Sequence, residues 1–586
     1  MKIDNKQYIN EKSSSKTRVF IIGWDGATFD LIKPWVDEGK LPNIAKLMNQ
    51  GTHGLLRSTM PPMTFPAWTS FMTGMNPGKH GIYDFTRPRA GTYDLEFVNG
   101  GQRRAPSFWR LLSDAGRRVI SISVPCTYPP EQVNGIMLSG FDAPGLGGSG
   151  SRLDARGMHP PELCEELDQA TGGHPIGSFP LAEINDGRPD LALEKILEAI
   201  REKATTAKYL MQNKPWDCFM ILFGESDGIG HHFWKYCDPE SPLYTSNPEM
   251  RDSIFRVYEE LDKQLGEFRS LLPEDTTLLM MSDHGFGGVS NRVLYPNCWL
   301  REQGFISFRG GFTRFYSRVL DKIKLLAVAK LPSRVKRLLY RVVGGRLGGI
   351  EAKVRYAMVD WDGTQAFFDE NPYYPVLWIN LKGRQPRGTV EPGEQYEAVR
   401  TAIIERLHNW KDPRTGEAIV RRAYRREEVY DGPSFEEAPD IIIHWAESEG
   451  YSYAFKVSSK AKGMRWTDEV DPHRPENLAF FTGKSGSHRD NGILLAHGPT
   501  IRRGETIDNA HITDVAPTIL SLLGAAIPSD MDGRLLSDLL VEGAMPDEVV
   551  MAPARAQAVV TDSDVSYSEK DKQLISDRLR ALGYID

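Results

Sequence analysis

Short apolar runs that stop abruptly at glycine or acidic residues recur along this chain. RVFIIGWDG reads as a buried strand running into a turn, and RRVISISVP, DCFMILFGES and TTLLMMSDHG repeat the pattern. Helix-length segments separate them, among them LPNIAKLMNQG, PSFWRLLSDAG and SIFRVYEELDKQLGEFRSLL. Strands alternating with helices predict an α/β fold, a mostly parallel sheet sandwiched by helices. In such a sheet the ligand site lies beyond the carboxyl ends of the strands. Aspartates and histidines collect there.

The rhythm breaks at residues 301–358, which are basic and helical in pattern, with Pro332 between two halves. This stretch is expected to be an insertion, a cap on the core. Residues 359–474 return to short strands (TQAFF, PVLWINL, AYRREEVY, DIIIHW) around one helix, EQYEAVRTAIIERLHNW, and predict a small α+β subdomain. The catalytic core would then comprise 18–300 and 475–540, the latter holding the strand GILLAHGP and the helix ITDVAPTILSLLG. Residues 1–17 read as a disordered polar lead-in. Residues 541–586 read as a loose tail ending in an amphipathic helix.

Composition adds a compartment. The 586 residues are 40% hydrophobic and 25% charged, which excludes general disorder and collagen-like or disulfide-scaffold proteins. The N-terminus lacks an apolar signal segment, and no run approaches the ~18 apolar residues needed to span a bilayer. Five cysteines with no CxxC pair predict reduced thiols in a cytoplasmic protein. The net charge of −7 is an average of unlike parts. Residues 301–355 hold 14 basic residues against Glu302, Asp321 and Glu351, a local +11, which leaves −18 elsewhere. Such a segment suits a roof over the active site or a peripheral contact with the inner membrane face through 312–347. No specific nucleic-acid partner is expected, and the oligomeric state is open.

Four segments place ligand-type residues at strand ends. Asp25 sits in GWDG, Asp283 and His284 in SDHGFGG, Asp227 and His231 in ESDGIGHHFW, and His488 in the Gly/Ser-rich loop SGSHRDNG. Any one of them alone is as well explained as a cap or turn residue. Three carboxylates and three imidazoles at strand ends of one α/β chain are harder to dismiss. Mixed oxygen and nitrogen ligands suit Zn²⁺ best, with Mn²⁺ the other fit. On a helix, the i,i+4 spacing of Asp227 and His231 puts both on one face. Thr64, in STMPPMTFPAWTSFMTG, is the nucleophile candidate at the start of a helix; its plainer reading is a helix N-cap. Arg87, Arg89, Arg103 and Arg104 are candidates for phosphate contacts, although exposed loop arginines are the commoner case. Lys79 reads as a solvated lysine, His80 as structural, His232 as pointing away from its neighbour's site, and His511 as a helix-entry residue.

Together GWDG, PPMTFPAW, TGMNPGKHGIYDF, ESDGIGHH, SDHGFGG and GSHRDNGILLAHGP resemble the alkaline phosphatase superfamily. More narrowly, the chain is similar to the type I phosphodiesterase/nucleotide pyrophosphatase group, in its prokaryotic branch of phosphohydrolases and phosphomutases. The resemblance runs from about residue 18 to residue 540. It implies an alkaline phosphatase-like core with two divalent metal ions. One would be held by Asp25, Asp283 and His284, with Thr64 beside it, the other by Asp227, His231 and His488. It also implies hydrolysis of a phosphodiester or phosphomonoester through a covalent phospho-threonine at Thr64, on a small phosphorylated substrate. The chain departs from the group at Ala67, where an asparagine is usual, and at Asp84 and Phe85, near which another asparagine is usual. A donor for the phosphate oxygens is therefore unassigned, with the backbone N–H of the Thr64 turn a candidate. Two rivals stand. A phosphomutase or phosphotransferase would use the same atoms, and a non-enzymatic membrane- or partner-binding protein would use only the basic segment.

Overall fold

The computed structural model describes residues 17–146, 151–177, 179–309, 355–356, 358–472, 484–544, 550–554 and 567–584. The lead-in up to residue 16 and nearly all of the basic segment, with its proposed membrane contact, lie outside these residues.

The principal elements in chain order are β1 (Arg18–Trp24), β2 (Thr52–Arg57), α1 (Thr64–Thr73), β3 (Val119–Val124), β4 (Gly135–Ser139) and β5 (Met158–His159). They continue with α2 (Pro189–Asn213), β6 (Cys218–Phe223), α3 (Glu225–Cys237), α4 (Ser253–Leu271), β7 (Thr276–Met281) and β8 (Gly285–Leu294). The last are β9 (Gly486–Arg489), β10 (Asn491–His497), β11 (Glu505–His511), α5 (Val515–Leu522) and α6 (Glu569–Leu582). Nine strands form one sheet in the order β11-β2-β10-β7-β1-β6-β3-β4-β5. The central run β7-β1-β6-β3-β4 is parallel throughout, while β10 is antiparallel to both its neighbours.

Alternation along the middle strands fills two cores. Phe20, Ile22 and Trp24 of β1, Phe219, Ile221 and Phe223 of β6, and Leu278 and Met280 of β7 face the layer that contains α2, α4 and α6. Val19 and Ile21, with Cys218, Met220 and Leu222 and with Leu279 and Met281, face the layer of α1 and α5. Side chains two apart share a face of a strand, so a strand apolar at every position requires cover on both sides. Each such side chain contributes about 1.5–3 kcal/mol on burial. Three of these central strands are parallel neighbours ending at the same edge, so their terminal aspartates meet.

A second region is built on an antiparallel sheet of Ala366–Phe368, Leu377–Ile379, Ile441–Trp445 and Val420–Arg425, covered by the helix Glu394–His408. Two expectations need correction. His488 does not sit in a loop: it lies in β9, which pairs with β8 in the register Phe286 opposite His488. The segment after Asp283-His284 is not a glycine turn but a strand of ten residues. Both are glycine-rich, so neither shows the apolar alternation that marks strands.

Candidate metal centre and nucleophile

Asp25 follows β1 and is held from two sides. Its Oδ2 accepts from Trp68 Nε1 at 3.0 Å, and its carbonyl accepts from Ser226 Oγ at 2.7 Å. The next residue must be glycine: Gly26 has φ +65, and a Cβ there would lie 3.2 Å from Asp227 Oδ1 and 3.0 Å from the Phe286 ring. This close pass lets Gly26 N donate to Asp283 Oδ1 at 3.3 Å.

Thr64 opens α1 but does not cap it. Met63, extended at φ −123 and ψ 140, is the N-cap, and no side chain caps the end. All ten residues of α1 are buried, Thr64 among them. The Thr64 hydroxyl donates to His284 Nε2 at 3.4 Å. Trp68, one turn further on, fixes Asp25 relative to Thr64. The sequence carries one signal for it, its place as the i+4 partner of Thr64 on the same helix face.

Asp227 and His231 share one face of α3, as their spacing predicts, with His231 Nε2 at 3.2 Å from Asp227 Oδ1. Gly230 and Gly486 allow α3 and β9 to touch, since a Cβ on Gly486 would fall 2.4 Å from the Gly230 carbonyl oxygen. His488 is thereby brought to 3.0 Å from His231, Nε2 to Nε2, and to 3.4 Å from Asp227. His284 Nε2 lies 3.3 Å from Asp283 and 3.5 Å from Asp25. All six residues expected to be ligands are buried and converge beside Thr64. Two ligand-type groups emerge, Asp227-His231-His488 and Asp25-Asp227-His284, so Asp227 stands between them. Asp283 adjoins the second.

The histidines are oriented alike. His231 Nδ1 donates to Gly486 O at 2.9 Å, His284 Nδ1 to Gly285 O at 3.0 Å, and His488 Nδ1 to Pro62 O at 2.9 Å. With each ring proton spent on a backbone carbonyl, each Nε2 presents a bare lone pair to the shared space, as in metal-ligating histidines. Opposite them, Asp25 Oδ1, Asp227 Oδ1 and Asp283 Oδ2 are buried without a hydrogen-bond donor. Two lone pairs 3.0 Å apart repel, as do crowded carboxylates, and a divalent cation relieves both. The donor set fits such ions.

Electrostatics agree. Burial pushes Asp25 well above the usual carboxylate range, and the charges of Asp283 and Asp227 push it further. Asp283 is raised by burial and by Asp227. Burial also opposes the charge of Asp227, which is held well below its usual value only by positive charge at the His231 and His488 rings, a charge that a divalent cation would supply in place of ring protons. Burial lowers His284 and His488, which keeps them neutral and able to bind a cation.

Two tyrosines at this site were not foreseen. Tyr584, from the turn after α6, donates to Asp227 Oδ2 at 2.8 Å. Tyr373 stacks on His488 with centroids 5.2 Å apart. Nothing local marks either one.

The residues set aside in the sequence are accounted for. His80 Nε2 lies 3.0 Å from Ser70 Oγ, and His232 meets the Ala581 carbonyl at 3.0 Å. His511 sits at the N-cap of a short 3-10 turn. Arg103 lies in a loop but is not exposed: it is buried against Glu131. Arg104 bonds Ser434 and Glu437, and Lys79 pairs with Asp532 rather than with solvent. Asp84 accepts from Phe85 N and Asn371 Nδ2. A cavity of about 510 Å³ opens beside the turn before Thr64, lined among others by Met63, Tyr83, Arg87, Arg89, Tyr374 and Trp378.

All five cysteines are unpaired, and among the described residues no helix is long and apolar enough to cross a membrane. Comparison with curated protein sequences gives no match. Among solved structures, human ectonucleotide pyrophosphatase/phosphodiesterase 5 is 15% identical, with 89% of this chain and 99% of that one covered and a TM-score of 0.44. Phosphonoacetate hydrolase from Sinorhizobium meliloti 1021, in complex with phosphonoformate, is 15% identical, with 86% and 94% covered and a TM-score of 0.48. The type I phosphodiesterase/nucleotide pyrophosphatase family model matches residues 19–479. The chain belongs to that metal-dependent family, and with it to the hydrolases of phosphoric ester bonds.

Proposed function

We propose that this protein is a two-metal phosphoester hydrolase, cytoplasmic in location, that works through a covalent phospho-threonine at Thr64. The observation that carries the reading is the convergence of three anchored histidines and three donor-less carboxylate oxygens beside a buried hydroxyl. Asp227, His231 and His488 would hold one divalent ion and Asp25, Asp283 and His284 the other, with Asp227 adjoining both; Zn²⁺ suits the mixed set best and Mn²⁺ next. Bound there, such ions supply positive charge to the phosphoryl oxygens and favour the alkoxide form of Thr64.

The chain's own residues do the rest. Helix α1 presents Oγ1 with its N-terminal dipole behind it. In the first half-reaction the bond from Oγ1 to phosphorus forms as the bond from phosphorus to the leaving oxygen breaks. The Thr64 proton passes to solvent, and the leaving oxygen takes one from water. In the second, a water oxygen bonds to phosphorus, the bond to Oγ1 breaks, and Thr64 regains a proton. Orthophosphate or a phosphomonoester departs. The cavity beside Met63 would take the part of the substrate that does not react.

Purified full-length protein loaded with Zn²⁺ or Mn²⁺ is expected to hydrolyse a nitrophenyl phosphate mono- or diester and to yield phospho-Thr64 on rapid acid quench. Thr64→Ala should lower turnover about 10⁴-fold or more with metal content unchanged. Full turnover by that variant refutes the nucleophile. Label from the phosphoryl group recovered on an added alcohol, rather than in phosphate, turns the reading into phosphotransfer.

A further inference from the structure

The last described residue of the chain reaches its chemical centre. Tyr584 donates to Asp227 Oδ2 at 2.8 Å, and Asp227 is one of the six residues that converge beside Thr64. Its ring stacks on Phe85, with centroids 4.4 Å apart and planes at 17°. Phe85 packs in turn on Phe65, the neighbour of Thr64, at 4.5 Å. The phenol also stands edge-on to His231 at 6.0 Å.

This end of the chain is built into the core and is no detachable plug. Ile575, Leu579, Leu582 and Tyr584 are buried in the same apolar cluster as β1 and β6. Arg578 donates to the carbonyls of Phe141 and Ala143. The final turn is tied directly to the site: His232 meets the Ala581 carbonyl, and the Tyr373 hydroxyl donates to the Gly583 carbonyl.

Among the described residues the other side-chain donors at this site are committed, which leaves the Tyr584 hydroxyl beside the uncapped backbone N–H groups at the start of α1. The three histidines spend their N–H groups on backbone carbonyls, Trp68 spends its own on Asp25, and Tyr373 spends its hydroxyl on Gly583. The carboxylates only accept. Ala67 and Phe85 carry no polar side-chain atom. A phosphoryl group in transfer gathers negative charge on its non-bridging oxygens, and a preorganised donor in a dry site stabilises that charge strongly.

We propose that Tyr584 is a catalytic residue of this site: its hydroxyl donates a hydrogen bond to a non-bridging phosphoryl oxygen as phosphorus passes to Thr64. The phenol hydroxyl rotates about its C–O bond, so the same proton serves Asp227 in the resting protein and the substrate during transfer. This rests on the phosphoester reading above and assigns the phosphate-oxygen donor that the sequence alone leaves open.

The test is Tyr584→Phe, which keeps the ring and removes the hydroxyl, in the full chain loaded with Zn²⁺. Four quantities are read: kcat/KM on a nitrophenyl ester, orthovanadate affinity by calorimetry, metal per chain, and melting temperature. The expected result is a loss of about 10²–10³-fold in kcat/KM, a comparable weakening for orthovanadate, which mimics five-coordinate phosphorus, and unchanged metal content and melting temperature. Unchanged turnover and vanadate affinity overturn the proposal. So does a loss that tracks lost metal, since the phenol would then only hold Asp227 in place. Should the wild-type chain turn over no ester, the hydrolase reading falls, while the vanadate comparison still decides whether Tyr584 binds a phosphoryl-like oxyanion.

Discussion

Two sets of buried carboxylates in this molecule follow opposite rules. In the antiparallel sheet of the second region, Asp440 is fully buried and both its oxygens are claimed. Oδ1 accepts from Tyr396 at 2.7 Å and Arg384 at 2.9 Å, and Oδ2 from Ile379 N at 2.6 Å and Arg384 at 2.5 Å. At the end of the parallel sheet, Asp25, Asp227 and Asp283 are equally buried, and each keeps one oxygen without a donor. A buried polar atom left unpaired costs about 1–3 kcal/mol, more when it is charged. Folding does not concentrate three such costs in one place for stability. The first set holds the fold together; the second leaves oxygens open at the fold's expense, as the proposed metal ligands would need.

Substitution should separate the two sets by sign. The largest effect is expected at Asp440. Asp440→Ala strands the Arg384 guanidinium and the Ile379 N–H, and should lose about 3–5 kcal/mol in urea unfolding with metal content intact. A loss below 1 kcal/mol would remove the contrast.

Next comes Asp369, an intermediate case. Its Oδ1 accepts from Asn371 N and Val376 N, while burial, and then the charge of Asp84, pushes its pKa up to about 7. A carboxyl raised above its unfolded value binds more protons when folded. Its stabilising contribution is therefore complete below about pH 4 and is lost as the pH rises through 7. Asp369→Asn should flatten the fall in stability between about pH 4 and pH 7 by about 1–3 kcal/mol, read as melting temperature against pH. An unaltered slope assigns the pH dependence to other groups.

The smallest effect has the most telling sign. Asp25→Asn in metal-free protein should stabilise by about 1 kcal/mol, because it relieves repulsion among crowded carboxylates. It should also abolish the drop in melting temperature that a chelator causes in the loaded wild type. Destabilisation of the metal-free variant would mean that Asp25 serves the fold as Asp440 does.

Much of the catalytic edge was legible because it depends on local pattern. β1, β6 and β7 announce themselves as apolar runs, and their terminal Asp25, Asp227 and Asp283 follow within a few residues. The i,i+4 pair on α3 needed only helical geometry. β8 and β9 were misread because glycine offers no alternation to read; pairing between segments some 200 residues apart makes them strands. Arg103 was misread for a related reason. Its burial depends on Glu131, which arrives through β3 and β4 rather than through sequence proximity.

By itself the sequence determined the α/β class and the strand ends, and it singled out the six ligand-type residues and Thr64. These follow from residue type and from the periods of strand and helix, which any short window carries. Only the tertiary structure decided that Asp227 stands between two groups, that every Nδ1–H is spent on a carbonyl, and that Tyr584 closes the site from the far end of the chain. Such facts depend on strand order and on which backbones can approach within a few ångströms. Packing across hundreds of residues sets both, and no local pattern encodes it.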